Sequence, residues 1–203
     1  MQLVRRKTKE IITYFSFFSV GAVFIVEFLF IGNGITVASF FSALGHVGSL
    51  IGLLWLVWNN WAWKWKCFKK WSIPDISGRW EGYYERKEGN GKHKYVVEIQ
   101  QTYVSVFCST FQDNDTSSGG VVAELCEADN GMRYFFVFFW EGTTSYREES
   151  FPVGTSYKGL TQLQVFPQNT TRKAKLGGVY FTNRSSTGSV EVQFIGKQLQ
   201  GRL

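Results

Sequence analysis

Two apolar runs, residues 11–31 and 35–58, lie back to back near the N-terminus, and a strand-rich segment follows them at once. At roughly 1.5 Å per residue they predict helices of about 31 Å and 36 Å, against a hydrocarbon core about 30 Å thick, so both are long enough to span a bilayer. The first run is too long for a signal-peptide core, no Ala-x-Ala-like site follows it, and the second run starts four residues later. The expectation is a transmembrane helical hairpin over residues 1–71 and a separate all-β domain over residues 72–203.

Charge gives the orientation. Arg5, Arg6, Lys7 and Lys9 precede the first run, Lys64, Lys66, Lys69 and Lys70 follow the second, and the intervening Gly32-Asn33-Gly34 is neutral. The positive-inside rule places both flanks, both termini and the β domain in the cytoplasm. Trp55, Trp58, Trp61, Trp63, Trp65 and Trp71 fit an interfacial belt on that side.

The formal net charge of +6 belongs entirely to this belt. Residues 1–71 hold 8 Lys/Arg against 2 Asp/Glu, whereas residues 72–203 hold 14 of each. A long nucleic acid therefore has no electrostatic footprint on the β domain. Cys67, Cys108 and Cys126 are odd in number and lack metal-like spacing, in keeping with a reducing compartment. With only His46 and His93 available, neither a zinc site nor a Cys-His nucleophile pair is easily built. No phosphate-cradling glycine loop and no nucleophile elbow is present, so no catalytic residue, metal or cofactor is expected, and the chain reads as a non-enzyme.

Beyond Pro74, runs of β-branched and aromatic residues alternate with Gly, Asn, Asp and Ser clusters. Eight strands are predicted, at 77–86, 93–101, 103–111, 119–128, 132–141, 157–166, 176–184 and 187–196. Period-two alternation is clearest at Tyr95/Val97/Ile99 and Val190/Val192/Phe194. Eight short antiparallel strands fit a closed up-and-down β-barrel, with a two-sheet sandwich as the alternative. Strand five is apolar on both faces, which calls for a second layer or an oligomer surface. Gly78-x-Trp80 is similar to the lipocalin opening, where a tryptophan plugs the barrel floor, though an ordinary core tryptophan reads the same way.

Within the second run, Ala38, Ser42, Gly45, Ser49 and Gly52 line one helix face with small residues, and Gly48-x-x-x-Gly52 adds a close-packing pair. Such a face serves either hairpin packing or self-association. Glu27 and His46 are the ionisable groups inside the runs, about 6 Å and 16 Å below the outer turn by helical rise, so they are not level and do not pair within one hairpin. Each is a candidate for contact with another copy or with water in an assembled lesion, and for Glu27 the alternative is a group near the outer interface, neutral or wetted there.

The order of two apolar runs, a Trp/Lys-rich exit, then Ile73-Pro74-Asp75-Ile76-Ser77-Gly78-Arg79-Trp80-Glu81-Gly82-Tyr83, and later Leu176-Gly177-Gly178-Val179-Tyr180-Phe181-Thr182-Asn183-Arg184 ahead of Gly188, resembles the two-transmembrane β-barrel effectors of bacterial CBASS anti-phage systems. The resemblance covers essentially the whole length. It implies a barrel that binds a cyclic di- or oligonucleotide second messenger made by a partner nucleotidyltransferase. The effector then self-associates and disrupts the bacterial inner membrane. The competing readings are a membrane-tethered, lipocalin-like carrier of an apolar ligand, and a structural membrane adaptor without a ligand.

If the strands form a simple meander, one mouth collects Tyr84, Arg86, His93, Trp140, Tyr146, Arg147, Tyr157, Lys158, Thr182 and Arg184. On strand seven Leu176, Gly178, Tyr180, Thr182 and Arg184 share a face. The expected ligand site has Arg184 on phosphate, Tyr84, Tyr180 or Tyr157 stacking on a base, and Thr182 as a hydrogen-bond partner. Arg79 is the alternative cation, expected at the other end of the barrel and pointing outward.

Overall fold

The computed structural model describes residues 3–30, 37–68, 73–89, 91–112, 117–128, 133–143, 156–166 and 173–201. They form two units, a helical one that also takes in residues 102–104, and a β unit that starts at Pro74.

In the helical unit α1 (Leu3–Phe30) and α2 (Val37–Asn60) stand where the apolar runs are. Two single 3₁₀ turns, Ala62–Lys64 and Lys66–Phe68, follow. The spanning hairpin expected over 11–31 and 35–58 is not found: among the described residues no helix is long and apolar enough to cross a membrane. Polar side chains stand at the ends of these helices, with Lys9, Glu10, Thr13, Tyr14, Ser16 and Ser19 in the N-terminal part of α1 and Asn59 and Asn60 at the end of α2. The α1 hydroxyls are absorbed by the helix itself, since Thr13, Ser16 and Ser19 donate to the carbonyls of Lys9, Ile12 and Phe15 at 2.8, 2.8 and 2.5 Å.

Aromatic rings hold this unit together. Phe15 meets Trp55 edge-on at 6.1 Å, and Trp58 contacts Phe68 and Tyr103 at 5.0 and 5.6 Å. Asn59 fixes the corner. Its carbonyl accepts the Tyr103 N–H at 2.8 Å and the Trp63 indole N–H at 3.1 Å, while its Oδ1 accepts the Val104 N–H at 3.2 Å. Burial, with the Glu10 carboxylate nearby, pushes the Tyr103 hydroxyl up to about 12, so it stays protonated.

The β unit is a closed eight-stranded antiparallel barrel in simple meander order. Its strands are β1 (Gly78–Arg86), β2 (Lys92–Gln101), β3 (Val106–Gln112), β4 (Ser117–Ala128), β5 (Arg133–Thr143), β6 (Ser156–Phe166), β7 (Lys175–Thr182) and β8 (Thr187–Gly196), with β8 pairing back onto β1. The barrel thus prevails over the sandwich. Two boundaries depart from expectation with a clear cause: β7 ends at Thr182, whose pairing with Ser186 puts Asn183 and Arg184 in the β7–β8 turn and not on the strand-seven face, and Tyr103 and its neighbours are not in β3, because Asn59 takes their amides and Tyr103 is buried against Trp58 and Trp63.

Register sets the lumen. Trp80, Val97, Ile99, Phe136, Phe138, Leu163, Leu176 and Val192 are buried at alternating positions and fill one half of it. Trp80 closes that half, with its indole N–H donating to the Ile76 carbonyl at 2.9 Å and its ring against Phe194 at 5.3 Å. Gly78 is required where it stands, because its φ is +126° and a Cβ there would lie 2.5 Å from the Gly196 carbonyl oxygen.

Candidate functional site

The other half of the lumen, where β1 ends and β2 begins, is lined by rings with polar edges. Tyr84 lies across from His93, and the two rings stack at 5.0 Å with only 24° between planes. Tyr84 also meets Tyr95 at 5.8 Å and Tyr180 at 5.9 Å, both edge-on. On the facing strands Trp140 meets Tyr157 at 5.5 Å, and the Arg184 guanidinium sits 4.8 Å from the centre of the Tyr157 ring.

Glycines make room for these rings. A Cβ at Gly188 would lie 2.6 Å from Tyr180, one at Gly142 would lie 2.8 Å from Tyr157, and one at Gly159 would collide with Trp140. Large and small residues thus alternate around the wall, as a closed barrel of this size requires.

Two hydroxyls in this wall behave differently. Tyr95 is hydrogen-bonded with Thr110, and burial holds its hydroxyl well above the ordinary tyrosine range, so it remains protonated. Tyr180 is only 7% exposed, and its hydroxyl is buried without a hydrogen-bond partner. Leaving such a group unpaired costs about 1–3 kcal/mol. Nearby, Trp140 is satisfied by the Thr161 hydroxyl at 2.9 Å. Burial raises the Cys108 thiol to about 12, leaving it an inert core group and not a nucleophile.

Tyr180 also borders a depression of about 420 Å³ on the barrel rim, together with Arg86, Lys87, Thr187 and Gly188. Arg86, the last residue of β1, and Lys87, in the β1–β2 turn, line it beside Glu85, and Arg184 stands in the neighbouring β7–β8 turn.

The structure therefore brings Tyr84, Tyr157, Tyr180 and Arg184 to one end of the lumen. It takes Thr182 out of play: the hydroxyl accepts the Ser186 N–H at 3.2 Å and the Thr182 N–H donates to the Ser186 carbonyl at 2.9 Å, which closes the β7–β8 turn. Arg79 lies on the opposite face of β1, 3% exposed, ion-paired to Glu81 at 2.6 Å and Glu98 at 2.7 Å. That makes it a clasp and not a ligand group. Tyr146 and Arg147 lie outside the described residues, as does the side chain of Glu27.

Tyr95 and Lys87 are the residues the sequence reading missed. Tyr95 was visible as an inward position of an alternating strand, and only the register that sets it beside Tyr84 gives it a place here. Lys87 was not visible, because a turn lysine beside Arg86 looks like any solvated charge. No protein-family model and no curated protein matches the chain.

Proposed function

We propose that the barrel is a receptor for a cyclic di- or oligonucleotide, and that the chain is a CBASS-type antiviral effector acting at the bacterial inner membrane. In this reading the two helices anchor the chain, with both termini and the barrel cytoplasmic. Ligand binding drives self-association and membrane disruption.

The observation that carries the reading is the buried Tyr180 hydroxyl without a partner, in a wall of aromatic rings bordered by Arg86, Lys87 and Arg184. A cyclic nucleotide offers what this wall lacks: phosphate oxygens for the cations and the hydroxyl, and planar bases for Tyr84 and Tyr157. Each stacked base contributes about 1–3 kcal/mol. The Tyr84–His93 stack presents the geometry a base would adopt by taking the place of the exposed imidazole. An apolar carrier would have no use for three cations at its mouth.

The test is calorimetry on the full chain in detergent against a panel of cyclic di- and trinucleotides. One member should bind, and Arg184→Ala should weaken it roughly ten-fold or more, as expected for a charge-assisted phosphate contact of about 1.5–3 kcal/mol. Unchanged affinity in Arg184→Ala would move the pocket off this mouth, and binding of fatty acids in place of nucleotides would favour the carrier.

A further inference from the structure

In the helical unit, α1 and α2 leave an apolar groove of about 400 Å³, lined by Ile11, Phe15, Leu54, Val57, Trp58 and Trp65 among others. Its volume lies within the range of small-molecule pockets. Two indoles are buried at this end of the unit, and they differ. Trp63 donates its N–H to the Asn59 carbonyl, whereas the Trp58 Nε1, in a side chain only 6% exposed, is buried with no hydrogen-bond partner.

A group of this kind in an apolar wall needs an acceptor, and the surrounding charge says which sort. All eight Lys and Arg of residues 1–71 fall at positions 5–9 and 64–70, at the start of α1 and just after α2. Ile11, Trp58, Ala62, Trp65 and Phe68 line the groove, so it lies at that same end. Glu10 is the acidic residue there, and it is already engaged.

We infer that this groove is a binding site for one anionic phospholipid, its acyl chain along Phe15, Leu54 and Val57, and an ester or phosphate oxygen accepting from Trp58 Nε1. The inference rests on the membrane reading of the two helices. An indole N–H is well placed for it, since tryptophan favours the headgroup level, where acceptor oxygens meet acyl chains. Lys9, two residues before Ile11, and Lys64, next to Trp65, are the cations nearest the groove along the chain, and Lys64 lies 5.0 Å from the Trp63 ring centre.

The test is native mass spectrometry of the delipidated full chain in mild detergent, offered equal amounts of dioleoylphosphatidylglycerol and dioleoylphosphatidylcholine. One phospholipid should be retained per chain, with phosphatidylglycerol favoured. Trp58→Phe keeps the ring and removes the donor, and should lower retention about five-fold. Leu54→Trp fills the groove and should abolish it, with helix content unchanged by circular dichroism. Equal retention of the two lipids, or wild-type retention in both variants, overturns the site. Flotation of the wild-type chain with phosphatidylglycerol liposomes separates the two readings. A chain that floats yet retains no lipid refutes the groove alone, and one that does not float refutes the membrane anchor and the groove with it.

Discussion

Tyr180 and Arg79 are two buried polar residues, one left without a hydrogen-bond partner and one fully paired. Both side chains are nearly inaccessible and both carry polar atoms, but Arg79 meets two carboxylates while the Tyr180 hydroxyl meets none. Opposite mutational outcomes follow. Tyr180→Phe deletes an unsatisfied group and should stabilise the barrel by about 1 kcal/mol, raising Tm by about 3 °C in thermal denaturation, while nucleotide affinity falls. Arg79→Ala leaves Glu98 buried without its cation and should cost about 3–5 kcal/mol, seen as a lower denaturant midpoint with the mouth intact. From sequence alone both residues read as candidate ligand groups. Alternation put Arg79 on the outer face, but nothing in the chain order showed that Glu98, on the neighbouring strand, faces it.

At the scale of elements, β1, β2 and the C-terminal segment close on Glu98. Its carboxylate accepts the Gln200 N–H at 2.7 Å and the Gly201 N–H at 3.2 Å as well as the Arg79 guanidinium. Burial opposes ionisation here, but these donors outweigh it and hold the carboxyl below its ordinary 4.5. The stabilisation is therefore complete above about pH 4.5 and is lost as pH falls through the depressed folded value. Asp75, held down by Lys197 and Ser77 against the opposing effect of burial, adds to the same acid limb. Melting temperature should stay level above pH 5 and drop below 4.5, with Glu98→Gln flattening the drop. Strand existence was legible because period-two patterning and glycine-rich turns are local signals. The start of β3 was not, since Tyr103 leaves the strand for an amide acceptor 44 residues earlier, Asn59. Nor was the register shift between Gly120 and Val122, which seats Gly120 opposite Trp140.

For the molecule as a whole, the consequence turns on what α2 leaves uncovered. Among the described residues a Cβ built on Gly45, Gly48 or Gly52 meets nothing within 4 Å, and His46 and Ser49 are exposed on the same stretch. Among the described residues, packing of α1 on α2 within one chain makes no use of these glycines, although the sequence left hairpin packing as an equal alternative. In the proposed assembly they supply a close approach between copies, where a bulky side chain would push helix backbones apart. Gly45→Leu and Gly52→Leu should thus leave the single chain folded and the nucleotide affinity unchanged. Self-association in detergent with ligand present should fall on the order of ten-fold, and membrane depolarisation in expressing cells should fall with it. Crosslinking yield and a potential-sensitive dye measure the two effects. Variants that still assemble and still depolarise would assign the contact between copies to another surface. The outer wall of the barrel is then the next to test, because Val122, Phe139, Leu160 and Phe181 stand in register across four adjacent strands there, all exposed.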